Sequence, residues 1–425
     1  MPRPADWFAI LVVIATWPLA WLGGPLRELW PPLVALAVIA ATRHALTGLL
    51  AGGFCGAVII AGGDPWQAYL AVGRDHLAPS FASTWKTGAI AFTVLLGGFA
   101  AVLETGGGFR TLLGRLTRRG ADADRRFQFA ATGLGLVCFF DGLANSMMVG
   151  RVGRDLADRT GVARVKLAYI VDSTSSAVAC LAVVSTWIAF QLTMIREGFA
   201  LAGRDVNPYA EFLSSLPSNF HCWFTLVLLF VSIGQRFDPG PMGRFVAAAR
   251  SRRGTEPDAR AGTPAVASAL APLAVLLVAF FAGFYVLGTD GPLAPVTREK
   301  IVAAFGSDAG PLVMVLAGCL ATVAGIALFP RPGAGRVGPA VRAWAEGART
   351  MFGPVLILVA AWILGSVLEE LGTAERITRA AAGVEVAALL PVVIFLTGAG
   401  VSFATGTSWG TMGILFPLAL SLIHI

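Results

Sequence analysis

Two carboxylates lie inside long apolar runs of this sequence, and they are the residues best placed to do chemistry there. Asp141 lies near the middle of the run 127–150, and Asp172 lies in the run 167–192. A charged side chain at the centre of a membrane helix costs roughly 2.5–3.5 kcal/mol on insertion scales, so it is usually kept for a function. We therefore predict that Asp141 and Asp172 bind a cation or a proton.

Neutral oxygen atoms accompany both carboxylates. Four hydroxyl side chains, Ser173 to Ser176, follow Asp172 directly. Carboxylate, hydroxyl, amide and carbonyl oxygens suit Na⁺, and no histidine or cysteine clusters with them, which argues against a transition metal. The candidate Na⁺ site has Asp141 and Asp172 as ion-binding and proton-exchange groups, and its neutral ligands are Asn145, Ser173, Thr174, Ser175, Thr405, Thr407 and Ser408.

This set of ligands suggests an exchange reaction. Desolvation favours the protonated form of a buried carboxyl group, whereas a bound cation favours its charged form. Na⁺ and H⁺ would then compete for the same oxygens. That competition is a sufficient mechanism for exchanging one ion for the other.

Structural roles stay open for the same residues. Asp141 could cap the second helix of a hairpin. The hydroxyl run 173–176 could be a small-residue packing face, although that would not explain Asp172. The polar stretch 405–411 could be a re-entrant turn whose groups satisfy one another.

The composition indicates an all-α, polytopic membrane protein. Of the 425 residues, 56% are hydrophobic and 13% are charged, and the mean hydropathy is +0.73. The formal net charge of +7 comes from basic loops between apolar runs, so it indicates membrane orientation rather than a nucleic-acid partner. The five cysteines lie in or beside apolar runs, which predicts neither disulfides nor a zinc site. No cofactor is expected beyond the transported Na⁺ and H⁺.

Basic segments flank the run around Asp141 on both sides, at 105–126 and 151–166. Short loops rich in Lys and Arg stay in the cytoplasm, and a single crossing cannot have both ends there. We therefore predict a re-entrant hairpin over 127–150 that enters and leaves on the cytoplasmic side. Gly142 is its predicted break, and such a break is tolerated only against protein or a wet cavity.

The other apolar runs predict about nine membrane spans. Basic loops orient them with a cytoplasmic N-terminus, and the fifth span, which carries Asp172, is expected to be broken. The third span is rich in glycine and alanine, which suits close helix packing. The predicted spans lie at about residues 7–22, 30–42, 45–62, 85–104, 167–192, 219–235, 265–288, 309–329 and 353–369. Residues 63–84 and 193–218 are expected to connect spans outside the membrane, and an amphipathic helix is expected within 331–349.

A second helix–break–helix pattern occupies 386–425 and is entered from the outside. Its apolar arms flank a small, polar stretch in which Gly406 and Gly410 are the predicted break glycines. Three identities relate the two hairpins at one fixed offset: Phe139 with Phe403, Gly142 with Gly406, and Met148 with Met412. Paired broken helices with opposite entry sides are the layout of transporters built from inverted repeats.

This layout divides the chain into four segments. Residues 1–126 are scaffold spans, and 127–235 form the core of the first repeat. Residues 236–352 are a cytoplasmic loop and further scaffold spans, and 353–425 form the core of the second repeat.

Several motifs together resemble the NhaC type of sodium/proton antiporters, a branch of the ion-transporter superfamily. They are Phe139–Gly142 with Asn145, Val149–Arg151, Lys166–Thr174, Ser185–Ile188, Gly240–Met242 and Phe403–Thr411. The resemblance covers most of the chain after about residue 85, and it implies Na⁺/H⁺ exchange, with relatives that exchange organic acids such as malate and lactate. The family pattern has a further Asp/Ser/Thr-rich helix after the second hairpin. Because this chain stops at Ile425, we expect it to be C-terminally truncated.

We expect a secondary transporter of the bacterial inner membrane that exchanges cytoplasmic Na⁺ for external H⁺. One alternative is a Na⁺- or H⁺-coupled organic-acid carrier, because helix N-termini at the hairpin tips would suit an anion. Another is an intramembrane enzyme, although no histidine or lysine base accompanies the intramembrane serines. The expected partners are membrane lipid and the two ions, without nucleic acid, and a homodimer is one option for the assembly.

Other ionisable residues are assigned to loops and span ends. His76 is interpreted as a loop or interface residue, and Glu369 and Glu370 as solvated residues at the end of a span. Ser366 and Trp362, within that span, are interpreted as packing residues.

Overall fold

The computed structural model describes residues 4–22, 24, 26–117, 122–140, 142–201, 204–238, 240–251, 265–305, 307–330, 337–373, 389–405, 411–412 and 415. Every regular element within these residues is a helix, as the sequence predicts. The chain forms two compact units. Unit 1 contains Met1–Thr87, Leu192–Pro208 and Phe352–Ile425, and unit 2 contains Gly88–Gln191 and Tyr209–Met351.

The helices before the first crossing into unit 2 are short, because glycine, proline and tight turns interrupt them. They are α1 (Pro4–Ile14), α2 (Thr16–Leu22), α3 (Trp30–Thr42), α4 (Ala45–Ile60), α5 (Pro65–Ala71), a π-helical turn (Val72–Leu77) and α6 (Ala78–Ala82). The following helices are α7 (Thr84–Gly106), α8 (Gly108–Leu116), α9 (Ala123–Val137), α10 (Gly142–Thr160), α11 (Arg164–Leu181) and α12 (Thr186–Leu201).

The second half of the chain is also helical in its described residues. Its helices are α13 (Pro208–Ser215), a 3₁₀ turn (Leu216–Ser218), α14 (Phe220–Gly234), α15 (Met242–Ser251), α16 (Ala267–Gly288), α17 (Arg298–Phe305) and α18 (Gly310–Ala327). They are followed by α19 (Gly338–Thr350), α20 (Phe352–Glu370) and α21 (Leu390–Thr405).

Several helices have the length and apolarity of membrane spans. Within the part of the chain that the structure describes, four stretches qualify alone: Thr84–Gly106, Ala267–Gly288, Gly310–Ala327 and Gly338–Glu370. Up to seven qualify if each bent pair of helices is one span. Helices α3 and α21 are shorter apolar helices, so the count of nine spans stays a prediction.

Glycines let two helix pairs approach closely. In unit 1, a Cβ atom at Gly48 of α4 would lie 2.3 Å from Ile39 Cγ1 of α3, which confirms the predicted close packing of the glycine-rich span. In unit 2, a Cβ atom at Gly347 of α19 would lie 2.4 Å from the carbonyl oxygen of Gly97 in α7. The helix expected within 331–349 is therefore present and packs directly on α7.

The segment after α4, expected to be a connection outside the membrane, is helical over Pro65–Ala82 and bends by 116° from α4. Its start is encoded locally. Asp64 Oδ1 accepts hydrogen bonds from the backbone N–H groups of Trp66 and Gln67, and Pro65 occupies the first helical position. An N-cap aspartate followed by proline is a helix-start signal that the apolar-run criterion overlooks.

Three ion pairs hold the beginnings of α9 and α11 at one end of unit 2. The Arg236 guanidinium lies 2.7 Å from Asp122 and 3.7 Å from Asp124, beside the start of α9. Two residues further, Asp238 lies 2.7 Å from the ammonium of Lys166 in the first turn of α11. Since two residues span at most about 7 Å of backbone, the chain from Asp122 to Lys166 leaves this end of unit 2 and returns to it.

This return path predicts the accessibility of single cysteines in intact cells. Arg126→Cys on α9 and Val165→Cys on α11 are both exposed sites, and each is placed in a background in which the five native cysteines are replaced. A membrane-impermeant thiol reagent should reach both from the same side of the membrane. Arg204→Cys, which lies in the segment 193–218 that the sequence predicts to be outside the membrane, is the reference for the opposite side.

Labelling of Arg126→Cys and Val165→Cys from opposite sides would make 127–150 an ordinary span. It would also contradict the return path that the three ion pairs define.

Candidate functional site

The predicted break in the first hairpin is present between α9 and α10. Helix α9 ends at Val137, and the next helix begins at Gly142. Phe140, between them, is fully buried and packs edge-to-face on Phe99 of α7, with ring centroids 5.4 Å apart. An aromatic anchor of this kind fixes the position of a non-helical segment.

The span that carries Asp172 is also broken, as predicted, between α11 and α12, which are bent by 42°. Ser185 lies in the break and satisfies backbone groups on both sides of it. Its Oγ donates to the carbonyl of Ala179 at 2.8 Å and accepts from the N–H of Ile188 at 3.1 Å. Ser185 therefore closes the last turn of α11 and caps α12.

The two breaks meet in unit 2. The backbone N–H of Thr186 donates to the carbonyl of Phe140 at 3.0 Å. A Cβ atom at Gly142 would lie 3.2 Å from the Trp187 ring and 3.4 Å from the carbonyl oxygen of Ser175. We call residues 138–140, 142 and 182–187 the break junction.

Asn145 joins the two arms of the hairpin beside the break junction. Its Nδ2 donates to the carbonyl of Gly135 at 2.8 Å, which satisfies one of the last carbonyls of α9. Its Oδ1 lies 3.4 Å from Thr174 Oγ1, and the Thr174 hydroxyl also donates to the carbonyl of Ile170 at 2.8 Å. Both side chains are buried.

Asp172 lies on another face of α11. Successive residues of an α-helix are about 100° apart, so Thr174 projects roughly 200° from Asp172. Asp172 is exposed, and its backbone carbonyl accepts hydrogen bonds from Ser175 Oγ at 3.3 Å and Ser176 Oγ at 3.2 Å. Ser173 is buried beside it in sequence. The structure therefore brings Asn145 and Thr174 together and leaves Asp172 apart from them.

Two described segments of the predicted second hairpin meet in unit 1. A Cβ atom at Gly398 of α21 would lie 2.9 Å from Leu415 Cδ1. Those residues would be about 25 Å apart in a continuous helix, so the chain turns back between them. Asp141, Gly406, Thr407, Ser408, Gly410 and the side chain of Thr405 lie outside the described residues.

Among the described residues, no group of three or more His, Cys, Asp or Glu side chains is placed to hold a metal ion. The buried oxygens near the break junction belong to hydroxyl, amide and backbone groups, and the Trp187 indole N–H is buried there without a hydrogen-bond partner among the described residues. This chemistry suits a hard monovalent cation or a proton.

Sequence comparison agrees with this chemistry. The model of the Na⁺/H⁺ antiporter family matches residues 178–424, which is more than half of the chain. The chain belongs to the Na⁺/H⁺ antiporter family. The antiporter is thus a multi-pass membrane protein of a family that transports ions and is not an enzyme family, and the resemblance seen in the motifs is confirmed.

A relative in Haemophilus influenzae (strain ATCC 51907 / DSM 11121 / KW20 / Rd) covers nearly the whole antiporter. That uncharacterized protein is 28% identical over 399 residues, which are 92% of this chain and 76% of the relative. The antiporter therefore shares most of its length with this relative.

Sequence reasoning missed an ion pair in unit 1 of the antiporter. Lys86 Nζ, in the first turn of α7, lies 2.7 Å from Glu197 Oε1 of α12 and 5.3 Å from the centroid of the Trp362 ring in α20. Residues 193–201, expected to be part of an outer connection, are helical, and this places Glu197 against Lys86. Neither residue could be paired from the sequence, because 110 positions separate them along the chain.

The contact between α9 and Thr174 predicts a difference between two glycines of one helix. A Cβ atom at Gly135 would lie 2.3 Å from Thr174 Oγ1, whereas a Cβ atom at Gly133 would meet nothing within 4 Å. Gly135→Ala should lower the stability of the antiporter by about 1–3 kcal/mol through overpacking. Gly133→Ala should leave it equal or up to about 1 kcal/mol more stable, because alanine favours the helix.

Thermal unfolding of the two purified variants in detergent compares these effects directly. Equal melting temperatures for Gly135→Ala and Gly133→Ala would show that α9 does not approach Thr174 so closely.

Proposed function

We propose that the antiporter exchanges cytoplasmic Na⁺ for external H⁺ at the break junction. The observation that carries this proposal is the meeting of two helix breaks, joined by the hydrogen bond from Thr186 to Phe140. The C-terminal ends of α9 and α11 both lead into the junction. Helix C-termini carry a partial negative charge, and unwound carbonyls at such ends are what transporters use to coordinate Na⁺.

Asp141 and Asp172 are the proposed ion-binding and proton-exchange groups. Phe140 and Gly142, the chain neighbours of Asp141, both lie at the break junction, which supports Asp141 as a Na⁺ ligand. Asp172 is exposed on the other face of α11, where its carboxylate can exchange a proton. The remaining proposed ligands are neutral: Asn145, Ser173, Thr174, Ser175, Thr405, Thr407 and Ser408.

The hydrogen bonds around Asn145 and Thr174 support two oxygens of this set as Na⁺ ligands. The Asn145 amide nitrogen is committed to Gly135, so only its Oδ1 can act as a ligand. A hydroxyl has one hydrogen, and the 2.8 Å bond from Thr174 to Ile170 uses it. Two buried oxygens 3.4 Å apart, Asn145 Oδ1 and Thr174 Oγ1, are then available for a cation to bridge.

We also propose an orientation in the bacterial inner membrane. The end of unit 2 that holds Asp122, Lys166 and Arg236 would face the cytoplasm, because the flanking loops are basic. The N-terminus would be cytoplasmic, and 127–150 would be a re-entrant hairpin. One chain reversal in each unit supports a relation between the two hairpins as inverted repeats.

A second candidate function is coupled transport of an organic acid. One observation favours it: in unit 1 the indole N–H groups of Trp85 and Trp362 are buried without a hydrogen-bond partner among the described residues. Lys86 lies beside the Trp362 ring, and the Arg196 guanidinium lies 5.1 Å from the centroid of the Trp85 ring. A carboxylate would accept hydrogen bonds from such donors.

Proteoliposome flux separates the two functions. A Na⁺ gradient alone should drive proton movement by the purified antiporter, measured with an internal pH-sensitive dye. Asp172→Asn keeps the size of the side chain and removes its titration, so it should reduce this flux to the level of protein-free liposomes. Asp172→Glu should retain part of the flux with an altered apparent Na⁺ affinity.

Asp205→Asn, which changes an exposed carboxylate between α12 and α13, is the matched control and should exchange normally. Normal exchange by Asp172→Asn would remove Asp172 from the site. A strict requirement for added organic acid would favour the second candidate function.

A further inference from the structure

Unit 1 contains a buried histidine that the proposed ion site does not use. The side chain of His76 is 2% exposed, and it lies in the π-helical turn Val72–Leu77. Its Nδ1 is 2.9 Å from Ser366 Oγ, and its Nε2 is 3.8 Å from the Glu370 carboxylate. The sequence-based interpretation of His76 as a loop or interface residue is therefore wrong, and π-helical turns are frequent at functional sites.

Ser366 can satisfy Nδ1 of His76 with or without a second proton on the ring, and the Glu370 carboxylate, 3.8 Å from Nε2, acts on the ring electrostatically. In the neutral ring, an N–H at Nε2 faces the Glu370 carboxylate, and Nδ1 accepts the hydroxyl hydrogen of Ser366. In the charged ring, both nitrogens donate, so the Ser366 hydroxyl rotates to accept at its oxygen. Its hydrogen is then free for a backbone carbonyl one turn earlier in α20. A serine hydroxyl is the group that permits both arrangements without moving the ring.

Only a few charged side chains lie on the described helices that pack around His76. The π-helical turn packs against α4, α5, α6 and α20, and the first three carry no charged side chain. On its own turn, Arg74 and Asp75 pair with each other at 2.8 Å and are exposed. Glu369 and Glu370 end α20, and the Glu370 carboxylate is the one that faces the ring.

The other titratable side chains on the helices that pack against the π-helical turn contact groups other than the His76 ring. Cys55 of α4 packs with the apolar side chains of Val34 and Val38. Tyr69 of α5 stacks on Trp66 with ring centroids 5.9 Å apart. Ser80 Oγ donates to the backbone carbonyl of His76 at 3.2 Å, which holds the turn in place without contacting the ring nitrogens.

We propose that His76, with Ser366 and Glu370, is a proton-binding site of this antiporter that sets the pH range of exchange. The effect on exchange rests on the proposed function, whereas the binding of the proton does not. An imidazole changes its charge between about pH 5 and 8. The charged ring draws the π-helical turn towards Glu370 at the end of α20, and the neutral ring releases that attraction.

The first experiment follows the histidine ring directly in the full-length protein. The antiporter has four histidines, so His76→Asn assigns the His76 signals in an NMR spectrum of ¹⁵N-histidine-labelled protein in detergent. Burial lowers the pKa of His76 from the usual imidazole value, so the ring should titrate on the acid side of neutral pH. Glu370→Gln should lower its midpoint by about half a pH unit, because a half-exposed carboxylate that stabilises the charged ring is lost.

Glu369→Gln is the matched control on the adjacent residue and should shift the midpoint less than Glu370→Gln. A His76 ring that does not titrate in this range would overturn the proposal. So would a midpoint that Glu370→Gln leaves unchanged.

The second experiment connects this site to exchange. His76→Asn keeps an amide near the position of Nδ1 for Ser366 but cannot titrate in this range. In proteoliposomes it should flatten the pH dependence of Na⁺-driven proton flux on the acid side of neutral pH. The KM for Na⁺ at pH 8.5, where the native ring is neutral, should stay within about twofold of the wild-type value, because His76 is not a Na⁺ ligand.

His44→Asn changes an exposed histidine and should preserve the wild-type pH profile. An unchanged profile for His76→Asn would overturn the link to exchange. If the wild-type protein shows no Na⁺-driven proton flux, the proposed function fails, and the NMR titration still decides whether His76 binds a proton.

Discussion

The backbone groups of a broken helix have no water to bond with inside a membrane, and this constraint governs the structure around the break junction. Each unsatisfied N–H or carbonyl there costs several kcal/mol. The antiporter meets that cost by placing two breaks against each other, so that the N–H of Thr186 bonds to the carbonyl of Phe140. Ser185 and Asn145 satisfy further groups on both sides. A few buried oxygens near the break junction keep unused lone pairs after these hydrogen bonds are made. Such oxygens can bind a cation.

The same constraint explains the residue types around the junction. Gly135 and Gly142 are glycines because Thr174, Trp187 and the carbonyl of Ser175 lie where a side chain would project. The ion pairs of Asp122 and Lys166 with the segment after α14 hold the N-terminal ends of α9 and α11 together. Packing therefore positions the break, and the break exposes the backbone groups that a transported ion can use.

Local signals in the sequence predicted much of this arrangement. The span predicted at 30–42 coincides with α3, and the hairpin predicted over 127–150 contains the interruption between α9 and α10. Contacts between distant segments could not be predicted, because apolar periodicity does not pair residues. His76 with Ser366, separated by 290 positions, is the clearest case. Asp172 shows a second limit of prediction from sequence. Its polar neighbours in the sequence project to other faces of α11, so adjacency along the chain did not predict which side chains lie together.

Competition of Na⁺ and H⁺ for oxygens at the break junction can be measured by equilibrium binding. Binding of ²²Na⁺ to the purified antiporter is measured in weak buffer together with proton release. Na⁺ binding should release protons, its apparent affinity should fall as the pH is lowered, and the isosteric change Thr174→Val should weaken it. Na⁺ binding that is independent of pH, releases no proton and survives Thr174→Val would show that the two ions do not compete at the break junction.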